Sequence, residues 1–135
     1  MKRAFAVALI TIVLLAISAC SGRSIDQEHK NYLEGFGWTI QSYESEETME
    51  LSLYPETVDS YHASNIYFLD DHIGTEVKVS NYTLKQLDDG GEPIQVTIYE
   101  KDNEILGAIG VLPSWTPGLF NIKDKEQLMV EGMIQ

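Results

Sequence analysis

The sequence predicts an α+β fold: a curved antiparallel sheet of about five strands, with two helices packed on one face. Three observations predict it. Short alternating apolar runs recur between residues 38 and 112. Two stretches at helical spacing are interleaved with them. The turns joining successive runs are mostly short, which favours antiparallel neighbours.

The elements follow in order. Ser24-Ile25-Asp26-Gln27 has the spacing of a capping box, with Ser24 as N-cap and Gln27 three positions on. Ile25, His29, Tyr32, Leu33 and Phe36 then share one helical face, and Gly35 and Gly37 end that helix. His29 on such a face reads as a packed or rim histidine rather than a ligand. Trp38 to Tyr43 alternates as a strand, Glu44 to Thr48 reads as an acidic turn, and Met49 to Tyr54 alternates as its hairpin partner. Pro55 suits the first turn of a second helix over residues 56–70, with Gly74 as its stop.

Residues 75–87 read as a strand whose apolar phase slips between Val77/Val79 and Tyr82/Leu84, which predicts a bulge near Ser80 or Asn81. Asp88 to Gly91 is a turn. Ile94, Val96 and Ile98 alternate clearly, and Ile105 to Leu112 is apolar on both faces. Gly107, Ala108 and Gly110 in that run leave room for a helix to approach. Pro113 to Gly118 forms a loop, and residues 124–135 carry a short terminal helix with Leu128, Met129 and Met133.

Residues 1–23 set the expected address. A basic start (Met1-Lys2-Arg3) leads into the apolar run Ala4–Ile17, shorter than the roughly 20 residues of a spanning helix. Ile17-Ser18-Ala19-Cys20 follows, and Cys20 is the only cysteine. This segment resembles a bacterial lipoprotein signal. The resemblance implies cleavage after residue 19, a diacylglyceryl group on the Cys20 thiol and acylation of the new amino terminus. Acyl chains contribute about 0.8 kcal/mol per buried methylene, so two or more hold a protein firmly on a membrane. The expected organisation is a signal over 1–19, an anchor and tether over 20–23, and one domain over 24–135. With Cys20 lipidated, no disulfide is available.

The net charge is −12, and loss of residues 1–19 removes Lys2 and Arg3 but no acid. Such a surface repels phosphate backbones and anionic headgroups, so nucleic acid is excluded as a partner.

Chemistry-bearing motifs are sparse. The sequence contains no Gly-x-Ser-x-Gly, phosphate loop or His-Glu-x-x-His. Asp70-Asp71-His72 is the best metal candidate, but three consecutive side chains rarely converge on one ion, so no metal and no cofactor is expected. Asp88, Asp89 and Glu92 have the composition of a loose calcium loop, though Asp-Asp-Gly-Gly suits a plain turn. Trp38 beside Phe36 reads as core. Trp115, between Pro113 and Pro117, is the expected exposed aromatic and a candidate binding surface.

Tyr32-Leu33-x-x-Phe36-Gly37-Trp38 at a helix-to-strand joint resembles a family of small Gram-positive lipoproteins known only as a domain of unknown function. The resemblance covers roughly residues 29–120 and implies the fold and the location, not an activity. The expectation is therefore a lipid-anchored, non-enzymatic domain on the extracytoplasmic face of the cell membrane, binding an envelope protein or peptide. The alternatives are a wall-acting hydrolase with unassigned carboxylates, and a structural spacer.

Overall fold

The computed structural model describes residues 24–135. The elements are α1 (Gln27–Gly35), β1 (Ile40–Glu50), α2 (Pro55–Ala63), β2 (Glu76–Leu87), β3 (Pro93–Lys101), β4 (Glu104–Val111), β5 (Leu119–Asn121) and α3 (Lys125–Val130). Short 3₁₀ turns occupy Asp70–His72 and Ile122–Asp124. The strands form one antiparallel sheet in the order β1-β2-β3-β4-β5. The α+β class and the five-stranded antiparallel sheet are as predicted.

The three α-helices among the described residues stop by the same device. Gly37, Asn65 and Gly132 each have positive φ (86°, 61° and 68°) one residue beyond the helix's last turn. The next amide in each case reaches back across the turn: Trp38 N–H to the Leu33 carbonyl, Ile66 to Tyr61, and Met133 to Leu128. This is the Schellman arrangement, in which a left-handed residue lets the chain satisfy carbonyls that the helix leaves unpaired. Each pair also packs side chain to side chain within one apolar cluster. The device explains why α2 ends at Ala63 rather than at residue 70. Asn65 takes the left-handed turn and drives Ile66 into the core.

The helix start differs from the capping-box expectation. Asp26, not Ser24, is the N-cap of α1, its Oδ1 accepting from the amides of Glu28 (2.8 Å) and His29 (3.2 Å). An aspartate there serves both the free N–H groups and the positive helix end.

The sheet is covered on both faces, which corrects the expectation of two helices on one. Ile94, Val96 and Ile98 of β3 face a cluster with Leu33 of α1 and Leu128 of α3. Val79, Tyr99 and Ile109 face a second cluster, closed by Tyr61 of α2 and by Ile66 and Leu69 beyond it. The two clusters explain the phase slip in β2. Pairing of β2 with β3 runs unbroken from Lys78↔Glu100 to Thr83↔Gln95, so no bulge lies at Ser80 or Asn81. Instead Val77 and Val79 serve one core, Tyr82 and Leu84 serve the other. The irregularities sit elsewhere: on β1, between Ile40 and Ser42 and between Tyr43 and Ser45, and at the far end of β2, between Thr83 and Leu87.

The predicted first hairpin is also corrected. Residues 40–50 are one strand, paired with β2 except at the irregularities at Gln41 and Glu44, and the acidic stretch Glu44–Thr48 is its exposed middle rather than a turn. The strand count is nevertheless preserved, because β5 adds an element absent from the sequence reading. The small residues of β4 admit aromatic rings rather than a helix. The Phe68 ring lies over Gly107 and the Phe120 ring over Gly110, so a β-carbon at either site collides with the ring.

Candidate functional site

The loop carrying Trp115 is fixed from beneath by one carboxylate. Asp88 opens the turn after β2 and has no exposed surface, although it lies just under the protein surface. Its Oδ1 accepts from the amides of Gly90 and Glu92 and from the Ser114 hydroxyl, each at 3.0 Å. Its Oδ2 accepts from the Ser114 amide at 2.7 Å. Burial pushes the Asp88 carboxyl up, but these donors outweigh it and hold the group below the ordinary carboxylate value. The C-terminal residues close the same junction: Asp88 bridges Ile134, and the Asp89 amide donates to the Met133 carbonyl at 3.0 Å.

Trp115 stands on this base. It is 42 % exposed, and its indole Nε1–H donates to Asp89 Oδ1 at 2.8 Å. The ring's polar edge is thus tethered while much of its apolar surface faces solvent. Both consecutive acids of the turn are committed, Asp88 to the loop backbone and Asp89 to the indole. The hydrogen bonds that Asp88 receives are those of a structural turn rather than of a calcium loop. Surface recesses of about 250, 190 and 430 Å³ lie elsewhere and are not lined by Trp115. A tethered aromatic on an open surface suits a macromolecular contact better than an enclosed small molecule.

A second polar group lies in the interior. His29 of α1 is buried, its Nδ1 2.7 Å from the Tyr82 hydroxyl and its Nε2 bonded to Glu100 Oε1. The Asp26 amide donates to the same Tyr82 oxygen at 3.5 Å. One assignment satisfies every member: Tyr82 O–H donates to Nδ1, and Nε2–H donates to the Glu100 carboxylate. Burial pushes the Tyr82 phenol up to about 12, so it is a weak proton donor with almost no exposed surface. This constellation joins α1 to β2 and β3. Its members lie 53 and 71 positions from His29, so no local motif signals it.

The metal candidates disperse. Asp70 accepts from His62 Nε2, with both carboxylate oxygens 2.9 Å away, and the His62 ring stacks on Tyr67 at 4.6 Å. Asp70, Asp71 and His72 form the first 3₁₀ turn, and among the described residues no group of three metal-ligating side chains converges. Trp38 is fully buried, as expected for core, with its indole N–H on the Ile122 carbonyl at 2.8 Å. Cys20 lies outside the described residues. No helix among the described residues is long and apolar enough to cross a membrane. No protein-family model, curated protein or solved structure matches the chain.

Proposed function

We propose that the chain is a lipid-anchored domain on the extracytoplasmic face of a cell membrane that binds an envelope protein or peptide and catalyses no reaction. The observation that carries the binding role is Trp115, an indole immobilised at its polar edge and open on its apolar surface. Ordering such a side chain in advance lowers the entropic cost of association, and aromatic residues dominate interface energetics. The address rests on the signal-like residues 4–19 before Cys20, and on the resemblance carried by Tyr32 to Trp38. The short stretch between Cys20 and α1 keeps the domain close to the membrane, within reach of envelope partners.

Cross-linking in intact cells followed by membrane capture tests this reading. A reproducible partner should be recovered with the native chain, and Trp115→Ala should reduce its recovery about tenfold, the usual cost of losing an interface anchor. Undiminished recovery by Trp115→Ala, at equal protein level, contradicts the assignment of the site.

A further inference from the structure

The middle of β1 is a strand with little reason of its own to be one. Residues 44–48 (Glu-Ser-Glu-Glu-Thr) are exposed in sequence, so neither face of the strand is covered there. Glutamate and serine disfavour extended structure unless packing supports it. Pairing with β2 holds the segment, helped by Asn81 Nδ2 to Ser45 Oγ at 2.9 Å, Thr83 Oγ1 to Glu44 at 2.9 Å and a Lys78–Glu46 ion pair at 3.5 Å. Among the described residues β1 is also the edge of the sheet, with β2 as its only strand neighbour. Alternate amides and carbonyls along its outer side point away from the sheet.

The charge on this edge selects its occupant. Strand alternation places Glu46 and Glu50 on one face and Glu47 on the other. Glu50 lies directly opposite Glu76, a like-charge cross-strand pair that a nearby cation relieves. A second copy of the chain is disfavoured. In the symmetric antiparallel register centred on Glu47, Glu47 would meet Glu47, with Glu46 beside it on each copy. Acids on an edge of this kind block self-pairing while leaving the backbone available to a strand of opposite charge.

We infer that the outer edge of β1 accepts an extended basic peptide segment as an added antiparallel strand, with the regular run of residues 45–50 supplying the backbone pairing. Glu46, Glu47 and Glu50 supply the charge complementarity. This surface is separate from Trp115 and does not depend on the lipid anchor.

The test uses the full chain and a synthetic peptide alternating lysine and threonine, about the length of β1, at low salt. A control peptide of the same charge carries N-methyl groups on alternate backbone nitrogens and cannot form a ladder. The lysine–threonine peptide should bind and slow amide hydrogen exchange within residues 45–50. The methylated peptide should bind at least about tenfold more weakly, because it keeps only the charge term. A Glu46→Lys/Glu47→Lys/Glu50→Lys variant should also lose about tenfold. Trp115→Ala should leave this binding unchanged, so failure here and failure of the Trp115 site are distinguishable. Equal binding of the two peptides, or absence of protection in β1, overturns the inference without recourse to any variant of the protein.

Discussion

Replacing Glu100 with alanine is expected to lower folding stability by about 3 kcal/mol, the upper range for leaving a buried hydrogen-bond donor without its acceptor. Glu100 is 7 % exposed and His29 1 % exposed, so water cannot replace the missing carboxylate. The substitution leaves the His29 Nε2–H without an acceptor and cuts the polar tie between α1 and the sheet. His29→Leu should cost a similar amount, because it abandons the Glu100 carboxylate in the interior. The double variant His29→Leu/Glu100→Ala should cost less than the sum of the single changes, since neither partner is then left facing a missing one. Denaturant midpoints of the four proteins measure this directly. Single substitutions costing under about 1 kcal/mol would show that solvent reaches the pair.

The second large effect is expected at Asp88. Asp88→Ala strips the acceptor from three backbone amides and the Ser114 hydroxyl at once, and should cost about 3 kcal/mol. It should also loosen the loop that holds Trp115, so the indole emission should shift toward that of a solvated ring while buried Trp38 is unaffected. The pH dependence has a definite sign. The Asp88 carboxyl is held below its ordinary value of 3.8 in the folded state. Its contribution is therefore complete above the unfolded value and is lost as pH falls through the lower folded value. Asp26, raised by burial but lowered further by the His29 and Glu28 amides, acts in the same direction. So does Glu44, lowered by the Ser42 and Thr83 hydroxyls. Asp88→Asn should consequently flatten, but not abolish, the fall in thermal midpoint below about pH 4. An unchanged acid profile in Asp88→Asn would contradict the assigned role.

Much of the fold was legible because the strands with a covered face alternate. Ile94, Val96 and Ile98 announced β3, and the apolar run of β4 announced a strand buried on both sides. Glu44–Thr48 was misread for a physical reason: it is a strand without a buried face, so it carries no hydrophobic period to detect. The slip in β2 was visible but admitted two causes, an inserted residue or a change in which face is covered. Only the position of the second core, set by the turn at Asn65, decides between them. At the candidate site, the exposure of Trp115 followed from its proline-flanked loop. The clamp beneath it was not readable, because Asp88 and Ser114 lie 26 positions apart and meet only once β2 and β4 are both paired with β3. Separations of 53 and 71 positions hid the His29–Tyr82–Glu100 group in the same way.

The address governs which partners can reach the Trp115 loop and the β1 edge, and one measurement tests it most directly. Intact-mass and amino-terminal fragment spectra of the protein from its native membrane should show a chain beginning at Cys20 and carrying a diacylglyceryl group on that sulfur. A mature chain with an unmodified Cys20, or one that retains residues 1–19, would contradict the account.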